Sequence, residues 1–405
     1  GQGYTLKGSG TLAAKQNYTF VGKPNNGTIT STVSSGNLNL CGNPYPSAID
    51  ANKFIDDNAS SITGTLYFWE HFDTNSSHNT IQYQGGYATY TKTGGTAPVA
   101  PSGVSGLGTS AKKPKRYIPV GQGFFVTGST TGGIITYKNT QRVFIKEDQS
   151  SSYTLFRTNN TITENSEDDS DLEEEEQFTK LSLGFDSANN YHRQILLGFM
   201  NQHATSGFDN GYDGLSIESL TNDMYFINEG ARLNIQGDGY FNVNNIYPLG
   251  VKNAVAGIVK FSVDNKELMD ENQDIFIYDS VTDEYHNIKS ESFEIDLPAG
   301  TNDTRFSLRF NNANALGTNQ NELQNGISVV HSQSDEMINI KNELQEANID
   351  SVVLFNLMGQ KVNSWTLDSQ NQNNIQLPVN NLNSGAYIVK VNTDKGSTSK
   401  KFIIK

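Results

Sequence analysis

Asp209, Asn210 and Asp213 stand within five residues of one another and are interleaved with Gly207, Gly211 and Gly214. Carboxylate and amide oxygens around a glycine-permitted turn are the ligands a hard cation such as Ca2+ prefers. The same residues suit a plain turn, because Asp and Asn accept hydrogen bonds from their own backbone and glycine supplies the unusual φ. No complete D-x-[DN]-x-[DN]-G loop is present, which weights the turn above the metal. Residues 164–176 hold nine carboxylates and no basic residue: Glu164, Glu167, Asp168, Asp169, Asp171, Glu173, Glu174, Glu175 and Glu176. Like charges this dense resist burial and read as a solvated linker or loop. A calcium-loading segment would want a glycine to fold the chain back, and the run has none. No cofactor is expected beyond this calcium alternative.

Enzymatic chemistry lacks its usual arrangements. There is no G-x-S-x-G elbow, no H-E-x-x-H pair and no G-x-x-x-x-G-K-[ST] loop, so no catalytic residue is assigned and a non-enzyme is expected. The histidines at 71, 78, 192, 203, 286 and 331 are scattered. Glu70 and His71, after Trp69, could be placed in a sugar cleft, but a carboxylate beside aromatics at a strand end is more often a surface residue. Tyr67, Trp69, Tyr87 and Tyr90, near glycines, would suit stacking on sugars, although core packing is the commoner use of aromatics. Cys41, the single cysteine, follows Leu38-Asn39-Leu40 in a strand-like stretch and reads as a buried inert thiol.

With one cysteine no intrachain disulfide can form, so stability must come from core burial. Thirty-seven glycines and abundant Asn, Thr and Ser favour strands and turns over helices. The net charge of −14 repels a phosphate backbone, which argues against nucleic acid as a partner. No apolar run approaches the ~20 residues of a membrane-spanning helix. The chain opens at Gly1-Gln2-Gly3-Tyr4 with neither a basic nor an apolar leader, so a signal peptide is expected to lie upstream or to have been removed.

Strands dominate the pass along the chain, so the expected class is all-β and multidomain. In a β-rich region 1–158, Thr65–Trp69, Gly123–Thr127 and Ile134–Tyr137 read as strands. Ser47 is placed to cap a short helix carrying Ala48, Ile49, Phe54 and Ile55, and residues 93–115, rich in Gly, Ala, Pro and Ser, read as a surface loop. Residues 159–177 form the acidic linker. Residues 178–310 read as a β-sandwich, with strands at Leu181–Phe185, Gln194–Met200, Leu233–Gln236, Ile258–Val263, Asp274–Tyr278 and Arg305–Phe310. A polar linker, 311–326, precedes a final domain, 327–405.

In that last domain, Val352, Leu354 and Asn356 alternate with Val353, Phe355 and Leu357 up to a turn at Met358-Gly359-Gln360. The run Gly385-Ala386-Tyr387-Ile388-Val389-Lys390-Val391 and the terminal Lys400-Lys401-Phe402-Ile403-Ile404-Lys405 complete a pattern of short strands, consistent with a small immunoglobulin-like sandwich. The order of the Gly359-Gln360-Lys361-Val362 turn, the Gly385–Val391 strand and the lysine-bounded terminus closely resembles the type A C-terminal sorting domain of the type IX secretion system of Bacteroidota. Many members open with Pro-Asn-Pro, where this chain reads Val330-His331-Ser332-Gln333-Ser334. Gly22–Gly27, Gly42–Asp50 and Gly121–Val126, and the order from Gly207 to Phe310, resemble segments that recur in large secreted proteins of that phylum. Asp186-Ser187-Ala188, Asp279-Ser280-Val281 and Asp350-Ser351-Val352 look like a short O-glycosylation motif of its exported proteins.

The resemblance implies passage through the periplasm and outer membrane to the cell surface or medium. The partners it implies are the translocon pore, an outer-membrane shuttle protein and a sorting peptidase. Docking would use Gly385, Tyr387, Val389 and Lys390 together with Lys400, Lys401, Phe402, Ile403, Ile404 and Lys405, because an edge strand can extend a partner's sheet. The leading expectation is thus an exported, non-enzymatic surface or secreted protein. A carbohydrate-binding or adhesive module, with or without calcium, and the accessory tail of a larger secreted hydrolase stand as alternatives.

Overall fold

The computed structural model describes residues 1–5, 19, 21–72, 77, 79–101, 104–106, 108, 110–144, 176–312, 326–332, 335–344, 348–356, 361–367, 373–379, 382, 384–393 and 396–404. Their regular structure is almost wholly strand, as the turn-rich composition predicts, and they fall into two compact units, Gly1–Phe310 and Asn311–Lys405. The acidic run up to Glu175 lies outside the described residues, as does most of 311–326.

The first unit holds two main sheets. One is five-stranded, in the order Leu38–Gly42, Gly123–Gly128, Ile62–His71, Gly85–Thr91, Gly94–Thr96. It buries Leu66, Phe68, Phe124 and Val126 against Phe54 and Ile55 of Ala51–Asp57, the single α-helix among the described residues. The helix starts later than the sequence suggests. Asp50, not Ser47, is its cap, with Oδ1 accepting the Asn52 and Lys53 N–H groups at 2.9 and 3.4 Å. Ser47 is used elsewhere, accepting from Arg142 Nε at 3.0 Å, while Ala48–Asp50 form a short strand between Tyr117–Ile118 and Arg142–Val143. A carboxylate at this position also complements the helix N-terminus electrostatically, which a hydroxyl cannot do.

The second sheet has eleven strands drawn from Thr179–Arg309. Every strand read from the sequence between residues 178 and 310 is part of it. Leu181, Leu183, Phe185, Ile195, Leu197, Phe226, Leu249 and Phe306 share its core. At ~1.5–3 kcal/mol for each such side chain removed from water, this cluster is the main stabiliser of the unit. Pairing is antiparallel except between His192–Phe199 and Ala231–Asp238, which run parallel.

The two β-rich regions are joined by specific contacts. Thr65 Oγ1 donates to Asp213 O at 3.2 Å, Tyr67 OH to Leu215 O at 3.0 Å, and Thr91 and Thr93 Oγ1 to Tyr212 O at 2.9 and 2.8 Å. Tyr191 OH reaches Ala100 O at 2.8 Å, beside a small core of Val99, Tyr191 and Leu220. This corrects the reading of residues 93–115 as a surface loop: Gly94–Thr96 is a strand, and Ala97, Val99, Ala100 and Pro114 are buried. The small side chains that resemble loop composition are what let this segment lie close against its neighbours.

The second unit is a small antiparallel sandwich. A three-stranded sheet, Ile327–Ser332, Met337–Asn342 and Asn374–Pro378, faces a four-stranded one in the order Lys361–Thr366, Ile349–Asn356, Gly385–Thr393, Gly396–Ile404. Between them lie Ile338, Ile340, Val352, Leu354, Leu377, Val389 and Val391.

Candidate functional site

The C-terminal pattern folds as its alternation dictates. Tyr387, Val389 and Val391 point into the core while Lys390 faces solvent, the period-two division of a half-buried strand. The last strand pairs along one side only, with Val389 opposite Lys400, Tyr387 opposite Phe402 and Gly385 opposite Ile404. It is therefore the edge of its sheet among the described residues. Phe402 stacks between the Tyr387 ring at 5.9 Å and the His331 ring at 5.3 Å, which fixes the end of the strand against the facing sheet. Lys401 is exposed. Lys361–Thr366, at the opposite edge, pairs antiparallel with Ile349–Asn356 as the expected hairpin requires. Gly359 and Lys405 lie outside the described residues, as does the Ile403 side chain.

The Asp209–Gly214 segment is a tight turn whose carboxylates already serve the backbone. Asp213 is fully buried; its Oδ2 accepts the Asp209 N–H at 2.6 Å and its Oδ1 the Gly237 N–H at 2.8 Å. Burial pushes its carboxyl up to about 7, with Asp209 and Asp238 nearby adding to the shift against the two backbone donors. Asp209 Oδ2 accepts from Thr205 N and Oγ1 at 2.6 and 2.8 Å, and Asn210 bridges to Asp213 through the backbone. Among the described residues no group of three or more His, Cys, Asp and Glu side chains converges as metal ligands would.

Glu70 departs from expectation. It is buried, not a surface residue, and its Oε1 stands 3.2 Å from Lys112 Nζ and accepts from Ser110 Oγ at 3.1 Å. On that strand Trp69 stacks on Tyr83 at 5.8 Å and meets Tyr87 edge-on at 4.7 Å, and His71 stacks on Tyr83 at 4.7 Å. Trp69 and Tyr87 are half-buried, whereas Tyr67 and Tyr90 belong to the interior. Cys41 is fully buried and burial raises its thiol, in keeping with an inert role. Of the serines in the three Asp-Ser-Ala/Val motifs, Ser187 is buried, Ser351 half-buried and Ser280 exposed.

Sequence reasoning missed two clusters. Arg193, fully buried, pairs with Asp223 at 3.1 Å, and beside them Glu218 is pushed by burial up to about 7. These residues are scattered in the sequence and nothing in their spacing announces the cluster. The other is a basic cleft, for which a signal was available: Lys112-Lys113-Pro114-Lys115-Arg116 is a dense basic run in an acidic chain.

Residues 1–310 match the family model described as a domain of unknown function (DUF8693), and residues 334–405 match that of the secretion system C-terminal sorting domain. No curated protein gives a significant match.

Proposed function

The chain belongs to the DUF8693 family and ends in a type IX sorting domain that sends it to the cell surface or the medium; from that premise we propose an exported, non-enzymatic binding protein. In this reading the sorting domain docks to the outer-membrane translocon and its shuttle through the edge strand Gly396–Ile404, and a sorting peptidase acts on the domain after transit. The observation that carries the reading is the one-sided pairing of that strand. Its second edge can extend a partner's sheet, and exposed Lys401 can meet acidic groups there. The passenger, residues 1–310, would act by binding a glycan or another surface. The half-buried rings of Trp69 and Tyr87 on one sheet, with half-buried Tyr83 stacked on Trp69 from the adjoining loop, support that second part.

Removing residues 396–405 should leave residues 1–310 folded but held in the periplasm of cells that possess the type IX machinery. Lys401→Glu, at an exposed position, should lower export without moving the melting temperature. Normal arrival of the truncated chain at the surface overturns the docking account.

A further inference from the structure

We propose that the first unit binds an acidic oligosaccharide, carrying carboxylate or sulfate groups, in a basic cleft between its two β-rich halves. The proposal gives the passenger's binding role a ligand class and is independent of how the chain is exported.

The chain carries 43 acidic against 29 basic residues, yet one cleft of about 680 Å³ gathers six cations: Lys53, Lys92, Lys113, Lys115, Arg116 and Lys180. That volume lies within the roughly 300–1,000 Å³ of ligand pockets and far exceeds what an ion needs. Half of the cations are already committed. Arg116 holds Asp50 with both arms, Nε to Oδ1 at 3.0 Å and Nη2 to Oδ2 at 2.8 Å. Lys92 pairs with Asp56 at 2.6 Å and lies over the Tyr212 ring at 4.3 Å, and Lys180 stands 3.9 Å from Glu267. Lys53, Lys113 and Lys115 form no salt bridge among the described residues. Burial lowers the Lys113 ammonium, against the smaller opposing pull of Glu267 and Asp264 nearby.

The lysines are presented by fixed backbone. Pro114 lies so close to Gly95 that a Cβ there would fall 2.3 Å from Pro114 O, and Arg116 O accepts the Ala51 N–H at 2.8 Å. Positions held in this way need little reordering on binding, which is where flexible surface lysines lose affinity.

Lining chemistry selects the ligand class. Besides Lys53, Lys113 and Lys115 the cleft offers the carboxylates Asp56, Glu176 and Glu267, the Asn52 amide and the Ser182 hydroxyl. Carboxylates repel a uniformly anionic polymer but accept hydrogen bonds from hydroxyl groups, so a ligand with both acid groups and many hydroxyls fits the mixture. Tyr212 and Phe178 add ring surface suited to a sugar face. A nucleic acid is disfavoured by the same carboxylates and by the net charge of −14.

Isothermal titration of the purified full chain would use three oligosaccharides of equal length, namely a hexuronic acid oligomer, a sulfated galactose oligomer and a neutral glucose oligomer, with an oligoglutamate peptide as a fourth probe. Binding to one or both acidic sugars is expected, weakening as NaCl rises, with neither the neutral sugar nor the peptide matching it; which acidic sugar binds identifies the anionic group. Lys113→Gln with Lys115→Gln should weaken binding by about tenfold or more at unchanged melting temperature. Should that pair fail to fold, Lys115→Glu, at an exposed position, gives the same reading. The proposal is overturned if no acidic sugar binds, if the neutral sugar or the peptide binds equally well, or if the folded lysine variant binds like the parent. Because no secretion step is involved, each of these results leaves the export account untouched.

Discussion

Gly64 and Gly211 meet back to back: a Cβ built on Gly64 would fall 2.5 Å from both the Cα and the backbone nitrogen of Gly211. Both have positive φ, +80° and +85°, and hydrogen bonds bracket the contact, from Gly211 N to Thr63 O at 3.2 Å and from Lys92 N to Gly211 O at 2.8 Å. The Asp209–Gly214 turn is therefore a joint between the two sheets of the first unit. Its buried Asp213 carboxylate, bonded to the backbone on both oxygens, holds the joint in shape.

Gly64→Ala should destabilise the first unit by more than the ~1–2 kcal/mol expected for a left-handed φ alone, because the added methyl meets backbone, which cannot swing away. Gly27→Ala is the control, with φ +81° but open space around the new Cβ. Denaturant unfolding of both variants checks this; equal losses would show that the close approach contributes nothing.

The first unit should lose stability as pH rises from about 5 to 10. His192 is raised to about 9, chiefly by Asp264 Oδ2 at 3.1 Å from Nε2 and also by Asp186 Oδ1 at 2.7 Å from Nδ1. A group raised on folding stabilises fully below its unfolded value, about 6.5 for histidine, and that contribution disappears as pH passes the folded value. Glu218, raised by burial to about 7, acts in the same direction at lower pH: its contribution is complete below about 4.3 and is lost through about 7. Melting temperatures across this range should fall, with His192→Gln flattening the upper part of the profile and Glu218→Gln the lower. A profile that rises with pH, or is unaltered by both substitutions, contradicts the assignment.

Much of the strand content was legible because half-buried strands write themselves as alternation: Tyr387, Val389 and Val391 against Lys390 is the plainest case. The helix Ala51–Asp57 was found from Phe54 and Ile55, but its start was misplaced, since Ser47 and Asp50 are both capable caps and only tertiary contacts with Arg142 and Arg116 decide between them. Residues 93–115 misled because small residues serve close packing as well as loops. The sorting domain could be recognised since its residues lie in one continuous stretch. The cleft was legible only in part: the Lys112–Arg116 run marks one wall, but Lys53, Lys113 and Lys180 come together only when the two halves join.

The most direct test of the account is whether residues 311–405 suffice for export. Fused to a carrier that normally stops in the periplasm, they should bring it to the surface or medium of type IX-competent cells, measured by surface labelling and by assay of the medium. The same fusion should remain periplasmic when the translocon is deleted, and also when Val389, fully buried in the sandwich core, is changed to Asp. A folded carrier that stays in the periplasm despite an intact sorting domain, or one that leaves cells lacking the translocon, would contradict the account.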